Sequence, residues 1–144
     1  MTRQNIAVLV PQQEAMCLLD EILHFDERSI VCSASSHLSA ANPLRCDGRL
    51  PACAAIEYGA QAMAAHGALR TSPAVQVQAG LLAGARGLRL SVRFLDDEPG
   101  LLKVRAERLI EDGGRLLYAF AVEGAGRQLA AGRLAVVLRP VAAP

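Results

Sequence analysis

The sequence predicts an α+β domain in which an antiparallel sheet of about five to six strands wraps around one long central helix. Three observations carry this expectation. The run from Asp47 to Leu69, DGRLPACAAIEYGAQAMAAHGAL, is built almost entirely of small apolar residues and opens on Pro51. Such a helix has little side-chain thickness, so another element can close around it. On both sides of it lie stretches alternating apolar and polar residues with a period of two, the pattern of half-buried strands. The order is two strands, one helix, then about four strands in hairpins, which segregates the helix from an antiparallel sheet.

Each element has a local reason. Ile6–Met16 contains Pro11 and reads as a loop with at most one helical turn. Cys17–Phe25 is apolar around Asp20 and Glu21 and is expected to be the first strand. Asp26–Arg28 is a turn. Ser29–Ser35 alternates Ile30, Cys32 and Ala34 with Val31, Ser33 and Ser35. Ser36–Leu50 is a long loop marked by Asn42-Pro43 and Asp47-Gly48. The helix is expected from about Pro51 to Ala68, because proline suits the first turn, where its missing N–H is no loss. After Pro73, Leu88, Leu90, Val92 and Phe94 alternate with Arg89, Ser91 and Arg93. Leu102, Val104 and Ala106 alternate with Lys103, Arg105 and Glu107. Asp112-Gly113-Gly114 is a hairpin signal before Leu116, Tyr118, Phe120 and Val122. Gly124–Gly126 turns the chain into a last strand carrying Leu134, Val136 and Leu138, which Pro140 ends.

Composition narrows the function classes. At 144 residues with 52% hydrophobic and 20% charged side chains, the chain suits one domain, 1–144, with one core. Net charge is +1 and tryptophan is absent, which argues against nucleic acid as the main partner. The 15 Lys and Arg, nearly all Arg, are spread along the strands as solvated sheet faces would carry them. Cys17, Cys32, Cys46 and Cys53 form no CxxC pair, so no metal site is expected and each reads as a small core residue. No apolar run reaches the roughly 18 residues of a membrane span without interruption. Met1–Asn5 is polar and Ile6–Val10 is too short for the apolar core of a secretion signal, so a cytoplasmic protein with reduced thiols is expected.

The chemistry-bearing residue is Glu57. It is the only carboxylate of the helix, and His66 is its only basic side chain. A carboxylate in apolar surroundings has its pKa pushed up, which suits proton exchange near neutral pH; the bland alternative is a structural carboxylate meeting an amide or an Arg. Gln61 lies one turn on, on the same face. His24 reads as exposed near a turn. His37 stands before the long loop and could swing into a site, and His66 reads as structural. Tyr58 and Met63 fit helix packing, and Asp47 shapes its Asp-Gly turn.

Three stretches carry a resemblance to a known family. Leu9-Val10-Pro11-Gln12-Gln13-Glu14-Ala15-Met16-Cys17-Leu18-Leu19-Asp20 resembles a Leu-Pro-His…Pro-Met-Leu-Leu-Leu-Asp segment. Pro43-Leu44 followed by Asp47-Gly48-Arg49-Leu50-Pro51 resembles a Pro-Phe…Gly-His-Phe-Pro loop. Ile56-Glu57-Tyr58-Gly59-Ala60-Gln61-Ala62 resembles a Glu-x-x-Ala-Gln helix signature. Together they resemble the hotdog-fold β-hydroxyacyl-acyl-carrier-protein dehydratases of the FabA/FabZ type, and more closely the short branch associated with aryl polyene synthesis.

The resemblance implies a 3-hydroxyacyl thioester dehydratase with Glu57 as its catalytic carboxylate and no metal or cofactor. The substrate would arrive on acyl carrier protein or coenzyme A. The site would form at the seam of a homodimer, or of a heterodimer with a homologue. Two departures stand out. Gln12 occupies a position where the family commonly has His, and it can only exchange hydrogen bonds. Arg49 stands where the fatty-acid enzymes carry their catalytic His; it could hold a phosphopantetheine phosphate or pair with a carboxylate. The helix start at Pro51–Cys53 would offer N–H groups to a thioester oxygen, with Gly48 allowing close approach. The alternatives are an acyl-thioesterase, or a non-catalytic acyl-binding subunit that pairs with an intact homologue.

Overall fold

The computed structural model describes residues 17–70 and 79–139. The strands are β1 (Glu21–Phe25), β2 (Ser29–Ala34), β3 (Ala79–Leu90), β4 (Leu102–Asp112), β5 (Arg115–Gly124) and β6 (Arg127–Arg139). One helix, α1 (Ala55–Arg70), follows a short 3-10 turn at Ala52–Ala54. All six strands join one sheet in the order β1-β2-β4-β5-β6-β3, with every neighbouring pair antiparallel. Counting the alternation along that order makes β2 and β3 parallel, so the chain must cross the sheet between them. Helix α1 makes the crossing and packs on β2, β4, β5 and β6.

The inner face is the apolar half of each alternating strand. Ile30, Cys32 and Ala34 of β2, Leu102, Val104 and Ala106 of β4, and Tyr118, Phe120 and Val122 of β5 are all buried. Ala130, Leu134 and Val136 complete it from β6. Against them α1 turns Ala55, Tyr58, Ala62, Met63 and Ala65. A helix apolar nearly all round has to be enclosed, and this one is enclosed by strands. The closest approach falls at Gly59. A Cβ placed there would lie 2.6 Å from Cγ of Phe120.

A buried polar network ties the long loop to the helix. Tyr58 donates its hydroxyl to Ser36 Oγ at 2.7 Å, and Ser36 Oγ donates to the carbonyl of Leu18 at 2.8 Å. Asn42 Nδ2 donates to the Tyr58 oxygen at 3.2 Å and to the Ser36 carbonyl at 3.0 Å. Such a network rigidifies the loop because each buried member is costly to leave unmade. Burial also raises the pKa of the Tyr58 phenol.

Several sequence expectations shift. The first strand begins at Glu21; Cys17, Leu18 and Leu19 are buried irregular chain leading into it. The third strand is Ala79–Leu90, earlier than the Leu88–Phe94 alternation suggested. Its Gly-rich start hides the period of two, and two bulges, between Leu82 and Gly84 and between Arg86 and Arg89, break the register. Beyond it, Pro51 bridges Phe94 and the amide of Ala52 donates to the Arg93 carbonyl at 2.9 Å, so this stretch braces the helix entrance. Cys17 and Cys32 are buried as expected, whereas Cys46 and Cys53 are exposed, one in a tight turn and one on the outer side of the 3-10 turn. Burial raises the Cys32 thiol to about 12, which keeps it protonated and inert.

Candidate active site

Glu57 occupies the first turn of α1 and is half-buried. Gln61, fully buried one turn on, donates from Nε2 to Glu57 Oε1 at 3.3 Å. Its own carbonyl oxygen accepts the amide of Leu18 at 2.9 Å. That second bond fixes which end of the amide faces the carboxylate, so Gln61 orients Glu57 from a rigid anchor. Gln61 is therefore a satisfied interior amide and a partner of Glu57 together.

The loop before the helix is sewn down by Asp96. Its carboxylate accepts the amide of Leu50 at 3.0 Å and the Nε of Arg49 at 2.9 Å, with Arg45 Nη1 at 3.6 Å. Arg49 also pairs with Asp97 and stacks over Phe94 at 4.0 Å. These donors hold the Asp96 carboxyl below the usual carboxylate range, against the pull of its partial burial. Arg49 thus pairs with carboxylates, one of its two expected uses. Asp47 and Gly48 both take left-handed backbone, φ 52° and 77°, in the tight turn closed by Cys46 and Arg49. Glycine suits position 48 because of that left-handed backbone; a Cβ there would meet no described atom within 4 Å.

Pro51 caps the 3-10 turn and accepts the amide of Ala54 at 3.0 Å. Of the amides expected to be open there, that of Ala52 is already spent on Arg93. The amide of Cys53 makes no hydrogen bond among the described residues, so it is the donor left at the helix entrance. Gln12 lies outside the described residues.

The histidines are engaged elsewhere. His24 is exposed and bonds Asp26. His66 is buried, donates from Nε2 to the Asp26 carbonyl at 3.0 Å and accepts from Tyr118 at Nδ1, a structural role. His37, expected to be able to swing into the site, is fully buried and donates from Nε2 to the Glu98 carbonyl at 3.0 Å. No hydrogen bond joins any of the three to Glu57 among the described residues. Nor do those residues contain a group of three or more His, Cys, Asp or Glu able to hold a metal.

Burial holds the His37 pKa below 6.5, against the opposite pull of the Glu98 carbonyl and of the Glu98 and Asp96 carboxylates; Nδ1 is buried without a hydrogen-bond partner among the described residues. The unfolded chain therefore takes up this proton first as pH falls. Stability from neutral His37 is fully present above about pH 6.5 and is lost below it, at a slope of up to about 1.4 kcal/mol per pH unit. In urea melts between pH 7 and 5 the wild type should lose stability more steeply than His37→Gln. Parallel curves would remove His37 as the cause. The lowered carboxyls of Asp26 and Asp96 titrate below this window.

A single helix clasped by a six-stranded antiparallel sheet, with an oriented carboxylate in its first turn, defines a hotdog domain. Solved structures share that fold. The dehydratase heterocomplex ApeI:P from Xenorhabdus doucetiae matches with a TM-score of 0.80 and 23% identity, over 92% of this chain and 90% of that one. Thioesterase PA1618 from Pseudomonas aeruginosa, solved as a mutant, matches at 0.71 and 13% identity over 98% and 96%. S. sahachiroi AziG matches at 0.68 and 15% identity over 92% and 99%. At these identities the likeness shows the fold. No curated protein matches the sequence. The chain belongs to the ApeP-like family, the ApeP dehydratases, whose profile matches residues 4–143. It is a dehydratase-like protein, and among the described residues no helix is long and apolar enough to cross a membrane.

Proposed function

We propose that the protein dehydrates 3-hydroxyacyl chains carried as thioesters of acyl carrier protein or coenzyme A, with Glu57 as its proton-transfer group. The observation that carries this is Glu57 held half-buried by Gln61 in the first turn of the helix, in a chain of the dehydratase family. In the reaction the α-C–H bond breaks, its electron pair forms the C=C bond, and the β-C–O bond breaks to release water. One group must take the α-proton and one must protonate the departing hydroxyl. The Cys53 amide and the positive end of α1 polarise the thioester oxygen, stabilising the charge that develops there. Gly48 and Pro51 shape the loop at that entrance. Gln12 supports the carrier arm rather than exchanging protons, and Arg49, paired with Asp96 and Asp97, holds the entrance loop in place.

The second acid/base group comes from the other subunit. Arg49 is committed to Asp96 and Asp97, and the three histidines are bonded away from Glu57. Strand β3 supports a two-chain assembly: it lies at the sheet edge, is 12 residues long and exposes Leu88 and Leu90. A long edge of this kind calls for a partner strand. The ApeI:P complex, being a heterocomplex, makes a homologue the favoured partner over a second copy. The assembly works in the cytoplasm.

The test mixes the purified protein with a homologous dehydratase whose own active-site carboxylate has been neutralised, so that Glu57 is the remaining one. Supplied with 3-hydroxyacyl and enoyl carrier-protein thioesters, the mixture should interconvert them by one water mass. Release of free acid would assign a thioesterase. Silence of the protein both alone and mixed would leave an acyl-binding subunit.

A further inference from the structure

The outer face of the sheet carries a groove of about 610 Å³ that the dehydratase reading does not use and that excludes Glu57. Strand register puts Arg105, Ala121, Ala131 and Arg89 in one row across β4, β5, β6 and β3. The next row runs Glu107, Ala119, Arg133 and Arg86. The alanines form a shallow floor, with Arg105 and Glu107 along one side and Arg133, Arg86 and Arg89 along the other.

Arg86 and Arg133 are directly opposite each other on neighbouring strands. Like charges in that relation destabilise a sheet. Neither has an ion-pair partner among the described residues, and nor does Arg89. Arg105, on the far wall, reaches only Glu123, at 2.6 Å. A chain of net charge +1 has no general excess of cation to place here. A local rule broken without compensation inside the fold is expected where something outside completes it.

We infer that this groove docks an acidic amphipathic helix of another protein, with small or apolar residues on the alanine floor and carboxylates on both flanks. Spacing selects the helix. Arg105 and Arg89 stand three strands apart, roughly 14 Å at about 4.8 Å per strand. An α-helix with side chains is about 10–12 Å across, so it fills the trough and meets both walls. A single phosphate would reach one wall. Arginine forks pair with carboxylates in two-bond geometry, which fixes the register of the helix.

The test uses an 18-residue helical peptide with an alanine-leucine ridge and glutamate flanks, and the same peptide with lysine flanks. Fluorescence anisotropy should show the acidic peptide binding at low salt, weakening as salt rises, and the basic one not binding. The double variant R86E/R133E should bind the acidic peptide at least about tenfold more weakly. Arg133→Ser alone should raise Tm by roughly 1–4 °C, because it relieves the like-charge pair; this confirms a folded protein and the unmet repulsion together. Equal binding of both peptides, unchanged binding by the double variant, or no binding of the acidic peptide below about 1 mM overturns the inference. So does capture of inorganic pyrophosphate in preference to the peptide, which would assign a phosphate site.

Discussion

Glu57→Gln should leave the protein folded and lower the rate of thioester dehydration by about 10²–10⁴, the usual contribution of a positioned acid/base group. The substitution keeps size and hydrogen-bonding capacity and removes only the ability to exchange a proton. Gln61 can still bond position 57, because its amide is anchored by Leu18. Binding should therefore be retained, with the loss in kcat rather than KM. Gln61→Ala should act more weakly, by loosening the carboxylate. A Glu57→Gln protein as active as the wild type would make position 57 structural.

Gly59→Ala should destabilise the protein, whereas Gly67→Ala, in the same helix, should stabilise it. Helix propensity favours alanine at both sites by about 0.5–1 kcal/mol. At Gly67 a Cβ meets nothing within 4 Å among the described residues, so that gain stands. At Gly59 the new carbon would lie 2.6 Å from Cγ and 2.9 Å from Cβ of Phe120. Those atoms are the rooted end of the side chain, so relief requires moving α1 off β5. Overpacking of this kind costs about 1–3 kcal/mol, more than the propensity gain. Chemical denaturation of the two variants should give shifts of opposite sign. A stable Gly59→Ala would mean that helix and sheet are not in close contact there.

These contrasts show how much was legible in the sequence. The slim helix, the succession of strands and helix along the chain, and the inward set Leu102, Val104, Ala106, Tyr118, Phe120 and Val122 followed from local patterning, because spacing alone decides which side of a strand is apolar. Glu57 was legible for the same reason, as the one carboxylate where none is cheap. What the sequence could not convey was pairing across distance. Asp96 approaches Arg49 and Leu50 only because two loops are laid side by side. The burial of His37 depends on Glu98, 61 residues away. The arginines of β3, β4 and β6 come together along one groove only when register is known. Strand β3 was hidden by glycines and bulges that blur its period. The exposure of Cys46 and Cys53 came from turn geometry, which composition does not carry.

The central claim is that Glu57 moves a proton at the α-carbon of a carrier-bound thioester. The direct measurement is to run the hydration of an enoyl carrier-protein thioester in deuterium oxide, with the homologous partner present, and follow the product by mass and NMR. The account predicts one deuterium at the α-carbon of the 3-hydroxyacyl product with the wild-type protein, and no product above background with Glu57→Gln. Equal deuterium incorporation by the two proteins would contradict it.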